Sequence, residues 1–150
     1  MKFLRIFVFL TISLHAETVR DLKYDTKHER NTLDFYPALK KGEEPAPVFV
    51  WFHGGGFRNG DKNQIEKYGR STLEKFQKAG YAIVSCNYPF LGKDMEYRDI
   101  VDHCGRAVKF VRSQSKSWDI DPDRLACGGV SAGALTVSYT HLRAHETESN

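Results

Sequence analysis

The nine residues LACGGVSAG, at positions 125–133, constrain the fold more strongly than any other part of the sequence. They begin as a short apolar run of the kind that forms a strand, and then place Ser131 between Gly129 and Gly133 in the pattern G-x-S-x-G. A serine on a sharp turn from a strand into a helix needs very small residues two positions before and after it, because larger ones collide with neighbouring backbone. The pattern therefore predicts a strand, a strained turn at Ser131 and a helix, with the hydroxyl facing backbone amides.

A second glycine-rich motif follows an earlier apolar run. The run VFVWF, at 48–52, is typical of a strand buried on both faces of a parallel sheet, and it leads directly into His53, Gly54, Gly55 and Gly56. Glycines allow the backbone of such a loop to turn its amides toward an oxyanion, and each donor of this kind can contribute roughly 10²–10³ in rate. The alternatives are a plain tight loop and a phosphate cradle. The cradle is disfavoured because GGFRNGDK lacks the Gly-Lys-Ser/Thr ending that phosphate-binding loops carry.

The remaining patterns alternate between strands and helices. In chain order they predict paired edge strands in TVRDLKYDT and TLDFYP, a helix over 64–79, a buried strand in YAIVSCNY, an amphipathic helix over 95–112, and a turn at DIDPDR that leads into the serine strand. This order is typical of an α/β fold, in which a mostly parallel sheet is covered by helices on both faces. Reactive loops in such folds lie at the carboxyl ends of the strands, and both glycine-rich motifs fall there.

Composition excludes several other classes of protein. With 41% hydrophobic and 27% charged residues the chain is globular, and its net charge of +3 comes from interleaved charges that form no basic patch for nucleic acid. Cys86, Cys104 and Cys127 are expected to be small buried residues rather than a disulfide framework. Their spacing includes no CxxC pair, so no zinc or redox site is indicated and no cofactor is expected.

The N-terminus predicts export. Residues 1–16 combine Lys2 and Arg5 with an apolar run over 6–14 and end at Ala16, which is typical of a secretory signal peptide cleaved after that alanine. The run is too short for a stable membrane span. We therefore expect a secreted or periplasmic protein.

Taken together, the segments LDFYP, VFVWFHGGGFRNGDK, GYAIVSCNY and DIDPDRLACGGVSAG resemble the α/β-hydrolase superfamily. More narrowly, they are similar to the HGGG-bearing esterases and lipases related to hormone-sensitive lipase and to bacterial feruloyl and acetyl-xylan esterases. The resemblance covers about residues 32–134. It implies that residues 17–136 form the N-terminal half of an α/β-hydrolase domain.

The resemblance also implies roles for individual residues. Ser131 corresponds to the nucleophile of these enzymes, and the amides of Gly55, Gly56 and Ala132 match the donors of the oxyanion hole. His53 matches a residue that steadies the loop by hydrogen bonding and is not the base. The glycines that support the two motifs are Gly54, Gly129 and Gly133.

The end of the chain departs from this family. The triad order there is serine, acid, histidine, whereas VSYTHLRAHET, at 137–147, matches one reading frame of a common transposon-type sequencing-library adapter. We therefore predict that residues 137–150 are a non-native tail, that His141 and His145 are neither base nor metal ligands, and that the acid and base belong to a missing half. His103 is expected to be a solvated or half-buried helix residue. An unpaired edge beside the serine strand should make the 150-residue chain aggregate and leave it nearly inactive.

The function implied is an exported serine hydrolase that forms an acyl-enzyme from small-molecule or polysaccharide-linked esters. A serine amidase or peptidase would use the same machinery, and a hydrolase-like binding module without activity is the alternative from another class. Nucleic acid is not an expected partner, and no oligomeric state is indicated.

Overall fold

The computed structural model describes residues 17–40 and 42–138 of the chain. The predicted signal peptide and residues 139–150 of the predicted tail lie outside the described residues. The elements, in chain order, are β1 (Val19–Lys23), β2 (Thr32–Tyr36), β3 (Ala46–Phe52), α1 (Gln64–Lys78), β4 (Ala82–Cys86), α2 (Tyr97–Ser113), α3 (Ser115–Trp118) and β5 (Ile120–Gly129). Residues 132–138 are also helical.

The five strands form one sheet in the order β1-β2-β4-β3-β5. β3 runs parallel to both β4 and β5, whereas β1 and β2 are antiparallel and extend the sheet beyond β4. Helices α1 and α2 pack on opposite faces, since their buried side chains belong to two separate apolar clusters. The predicted α/β architecture with helices on both faces is confirmed, and among the described strands the sheet is mixed, with two parallel and two antiparallel pairs.

The larger apolar cluster lies between the sheet and α2. All five residues of β4 are buried, as expected for a central parallel strand. β3 differs from the prediction that it is buried on both faces. Val48, Val50 and Phe52 point into the large cluster, but Phe49 and Trp51 are only half-buried, because among the described elements α1 alone covers their face.

The predicted turn at DIDPDR is wrong in its placement, because these residues lie mostly inside β5. Ile120 pairs with Ala46 and Leu125 with Val48, so β5 has three more residues than β3 between these two pairs and bulges outward. The bulge is closed locally by the backbone N–H of Asp123, which donates to Asp121 Oδ1 at 2.9 Å. A proline is tolerated here because the bulge interrupts the ladder and demands no hydrogen bond from it.

His103 also departs from expectation. It is 6% exposed, and its Nδ1 lies 2.9 Å from Oδ1 of the fully buried Asn31. His103 therefore packs between α2 and the β1–β2 connection instead of facing solvent. The cysteines are unpaired, with Cys86 and Cys104 buried and Cys127 half-buried. Within the described residues no helix is long and apolar enough to cross a bilayer.

An ionic cluster ties the antiparallel strands to the segment that precedes α1. Asp34 of β2 is 1% exposed, and the ammonium of Lys62 lies 2.9 Å from its Oδ1 and 2.7 Å from Asp21. Arg20 adds a longer contact to Asp34 at 3.6 Å and pairs with Glu66 at 2.8 Å. Lys62 is therefore held on both sides, which fixes the chain just after the second glycine motif.

Replacing Lys62 with Met should remove the positive charge nearest to a buried carboxylate. Asp34 would keep the backbone N–H of Asp21, at 2.8 Å, but its nearest remaining positive charge would be the more distant Arg20. We therefore expect Lys62→Met to lower the free energy of unfolding by about 3 kcal/mol. Lys67→Met, in the exposed part of α1, is the matched control and should change it by less than about 0.5 kcal/mol. Urea unfolding measures both. Equal stabilities for the two variants would contradict the role given to Lys62.

Candidate active site

Ser131 lies on a sharp turn between β5 and the helical residues 132–138. Its φ is 53°, in the left-handed region that costs a non-glycine residue about 1–2 kcal/mol, and its side chain is exposed. The backbone enters the helix at once, since Ala134 N and Leu135 N both donate to Ser131 O at 3.0 and 3.2 Å. A strained conformation at an exposed serine is what a nucleophile turn requires.

The glycines around Ser131 are explained by the end of β3. A Cβ on Gly129 would lie 2.6 Å from the carbonyl oxygen of Phe52, and one on Gly133 would overlap the same oxygen. Val130 N donates to that oxygen at 3.3 Å. The serine turn, residues 129–133, is therefore packed directly against the last residue of β3, and only glycine permits this approach.

The loop after β3, residues 53–57, here called the His53 loop, lies beside the serine. A Cβ placed on Gly54 would be 3.6 Å from the Ser131 Cβ and 3.0 Å from Val130 O. Gly55 and Gly56 follow in the same loop with φ of 128° and 61°. Two of the predicted site segments, far apart in sequence, thus lie side by side.

Ala132, the third predicted amide donor, is the first residue of the helix after Ser131 and is 2% exposed. Its N–H belongs to the first helical turn, where amides have no carbonyl partner within the helix. The start of this helix and the His53 loop therefore both lie beside Ser131.

The side chain of His53 points into the protein interior. It is fully buried, its Nδ1 lies 2.7 Å from Gly54 O, and its ring stacks on Tyr88 with centroids 4.2 Å apart. The Tyr88 hydroxyl donates to His53 O at 2.6 Å. Burial lowers the pKa of His53, and the charge of Arg30 acts in the same direction, against the hydrogen bond to Gly54. His53 is thus a neutral support of the loop.

Sequence reasoning missed the layer beneath the His53 loop. Asn87 accepts from Lys62 N at 2.7 Å and donates to Asp61 at 2.9 Å, and Arg30 reaches the same cluster from the β1–β2 connection. Asn87 and Tyr88 could have been found, because they directly follow the buried strand β4 at the carboxyl edge of the sheet. No local sequence pattern identifies Arg30, since the hydrogen bonds of its side chain reach residues 23 to 58 positions away.

No metal centre is evident in the part of the chain that the structure describes, where no group of three or more His, Cys, Asp or Glu side chains is placed to hold an ion. What the described residues offer is an exposed serine hydroxyl on a strained turn, beside a glycine-rich loop and the start of a helix.

Comparisons with known proteins give a matching family model and several named esterases. The BD-FAE family model matches residues 33–149. Acetylcholinesterase of Gallus gallus is 33% identical over 118 residues, an alignment that covers 71% of this chain and 15% of the relative. Esterase LipI of Mycobacterium tuberculosis is 26% identical over 112 residues, covering 75% of this chain and 34% of LipI.

Among solved structures, a thermophilic esterase of Thermogutta terrifontis, Est2 with propionate bound, superposes with a TM-score of 0.63. It is 26% identical, and the match covers 83% of this chain and 44% of that one. The chain therefore spans less than half the length of each of these three proteins.

The close packing of Gly133 on Phe52 can be tested with a matched pair of glycine substitutions. We expect Gly133→Ala to lower the free energy of unfolding by about 3 kcal/mol, because the methyl group meets backbone that cannot move aside. Gly105→Ala, inside α2 with open space around its Cβ, should instead raise it by about 0.5–1 kcal/mol. Urea unfolding measures the free energy of unfolding of both variants and of the unmodified protein. A Gly133→Ala variant as stable as the unmodified protein would contradict the packing of the serine turn.

Proposed function

The chain belongs to the BD-FAE family and has the fold of α/β-hydrolase esterases, and from that premise we propose that the complete protein is an exported serine hydrolase of carboxylic esters. The complete protein here means the product of the full reading frame that contains this sequence. The observation that carries the proposal is that Gly54, in the glycine-rich loop after β3, packs against Ser131, which lies on a strained turn with a φ of 53°.

In the proposed mechanism Ser131 Oγ attacks the acyl carbon of the ester. A histidine outside the described residues takes the hydroxyl proton and then gives it to the departing alcohol, which leaves Ser131 acylated. Water, deprotonated by the same histidine, attacks the acyl carbon, and the histidine returns this proton to Ser131 Oγ as the acid is released. The amides of Gly55, Gly56 and Ala132 hold the negative oxygen in both steps.

The described histidines do not compete for the role of base. His53 is buried behind the loop with its Nδ1 on Gly54 O, and His103 is buried against Asn31. His28 lies in the β1–β2 connection, where its Nδ1 accepts from the backbone N–H of Arg30 at 3.0 Å. This arrangement supports the proposal that acid and base follow Ser131 in the complete protein, in the order serine, acid, histidine.

The names of the relatives guide the choice of substrate. Acetylcholinesterase, LipI and the propionate-bound Est2 are all esterases, so we propose esters of short acids, free or attached to polysaccharide. Export is proposed from residues 1–16, with the hydrolase domain beginning at residue 17 and a non-native tail over 137–150. No nucleic acid, metal or cofactor enters this proposal.

Hydrolysis of p-nitrophenyl acetate by the complete protein tests the proposal. We expect Ser131→Ala to lower kcat by about 10³-fold or more, since the acyl-enzyme can no longer form. Ser113→Ala, at the end of α2, is the matched control and should retain full activity. Equal turnover by Ser131→Ala and Ser113→Ala would remove Ser131 from its role.

Two further readouts distinguish the alternatives. Faster cleavage of a p-nitroanilide than of the matching ester would indicate an amidase. A folded complete protein that cleaves neither compound would indicate a binding module.

A further inference from the structure

Arg30, in the connection between β1 and β2, joins several segments beneath the His53 loop. Its Nε donates to Tyr88 O at 2.9 Å, and its Nη2 donates to Gly60 O at 3.0 Å and lies 3.3 Å from Asn87 Oδ1. Its Cζ lies 3.9 Å from the centroid of the Phe90 ring. One guanidinium thus holds the end of β4 and the chain that returns from the His53 loop.

The same guanidinium faces the buried histidine. Arg30 Nη2 lies 3.4 Å from His53 Nε2, and an arginine can only donate a hydrogen bond. In this contact Nε2 is the acceptor. The carbonyl of Gly54, which can only accept, likewise places the single ring hydrogen of neutral His53 on Nδ1. That N–H donates to Gly54 O, 2.7 Å away.

The hydrogen bond to Gly54 O fixes the direction of the next amide. In a planar trans peptide the carbonyl of one residue and the N–H of the next point in opposite directions. Since Gly54 O points at the buried ring of His53, the N–H of Gly55 points away from that ring. A Cβ on Gly54 would lie 3.6 Å from the Ser131 Cβ, so the Gly54–Gly55 peptide borders the serine turn.

We propose that Arg30 is a positioning residue for the oxyanion hole. It holds His53 in the Nδ1–H form, and His53 in turn holds the Gly54–Gly55 peptide with its N–H available to the substrate. The inference rests on the proposed function, because it assigns a role in the same reaction.

Charge and geometry contribute separately to this arrangement. A protonated His53 would present Nε2–H to the guanidinium, so that two donors would face each other. The charged groups that act on the ring are Arg30, which lowers the pKa of His53, and Asp61, which raises it, and burial is the largest cause of the lowered value. Lysine would supply charge but not the planar fork that reaches several acceptors at once.

The acid side of the stability profile follows from the lowered pKa. Unfolded protein binds a proton at His53 below about pH 6.5, whereas the folded protein does not until its lower pKa is reached. The contribution of His53 to the free energy of unfolding is therefore complete above about pH 6.5, and it is lost as the pH falls through the pKa of His53 in the folded protein.

The test uses the complete protein with ¹⁵N-labelled histidine, His53 being assigned through His53→Asn. We expect the unmodified protein to carry its ring hydrogen on Nδ1 at neutral pH. In Arg30→Met the pKa of His53 should rise and Nε2–H should become populated, while kcat and kcat/KM for p-nitrophenyl acetate should fall together by about 10-fold to 100-fold. Arg124→Met, in the β5 bulge, is the matched control and should leave all three unchanged.

Arg30→Lys separates the two contributions and serves where Arg30→Met fails to fold. We expect it to keep the pKa of His53 low and still to reduce kcat, because the fork is lost. Full kcat in Arg30→Lys or Arg30→Met, or an unchanged His53 ring in Arg30→Met, would overturn the inference. If the unmodified complete protein cleaves no ester, the proposed function fails by itself, and the ¹⁵N signals still decide whether Arg30 sets the state of His53.

Discussion

The parallel pairing of β3 with β5 is the constraint on which the rest of the structure depends. Its register sets Phe52 opposite Gly129, so the last carbonyl of β3 receives the N–H of Val130 and packs against Gly133. The same residue ends the strand from which the His53 loop departs. A hydroxyl and a set of amides, about 75 residues apart in sequence, are brought together by one shared strand end.

The left-handed backbone of Ser131 is held in place by the packed structure around it. A left-handed serine persists only where its surroundings determine the backbone more strongly than its own preference does. Here the N-terminal side is fixed by the ladder of β5 on β3, and the His53 loop is fixed by Tyr88 and Arg30. The antiparallel strands, on the far side of the sheet, also hold the chain that follows the His53 loop. They do so through Arg30, which donates to Gly60 O, and through the pairing of Lys62 with Asp34.

Sequence patterns predicted the regular elements well because their signals are local. The period of Ile100, Cys104 and Ala107 predicted α2, and the continuous apolar run predicted β4. The patterns did not predict the bulge in β5, the burial of His103, or the part of Arg30. Each of these depends on contacts between residues distant in sequence, and a single chain carries no periodicity that reports them. The two glycine-rich motifs predicted where the site lies, whereas the residues that support the His53 loop could be identified only from the folded structure.

The most direct test of the account is covalent labelling of the complete protein with a fluorophosphonate, followed by digestion and mass spectrometry. Such a reagent phosphonylates a serine that is activated and faces amide donors. The account predicts a single modification on the peptide that contains Ser131, lost in Ser131→Ala. Modification of a different serine, or none in a preparation that hydrolyses esters, would contradict it.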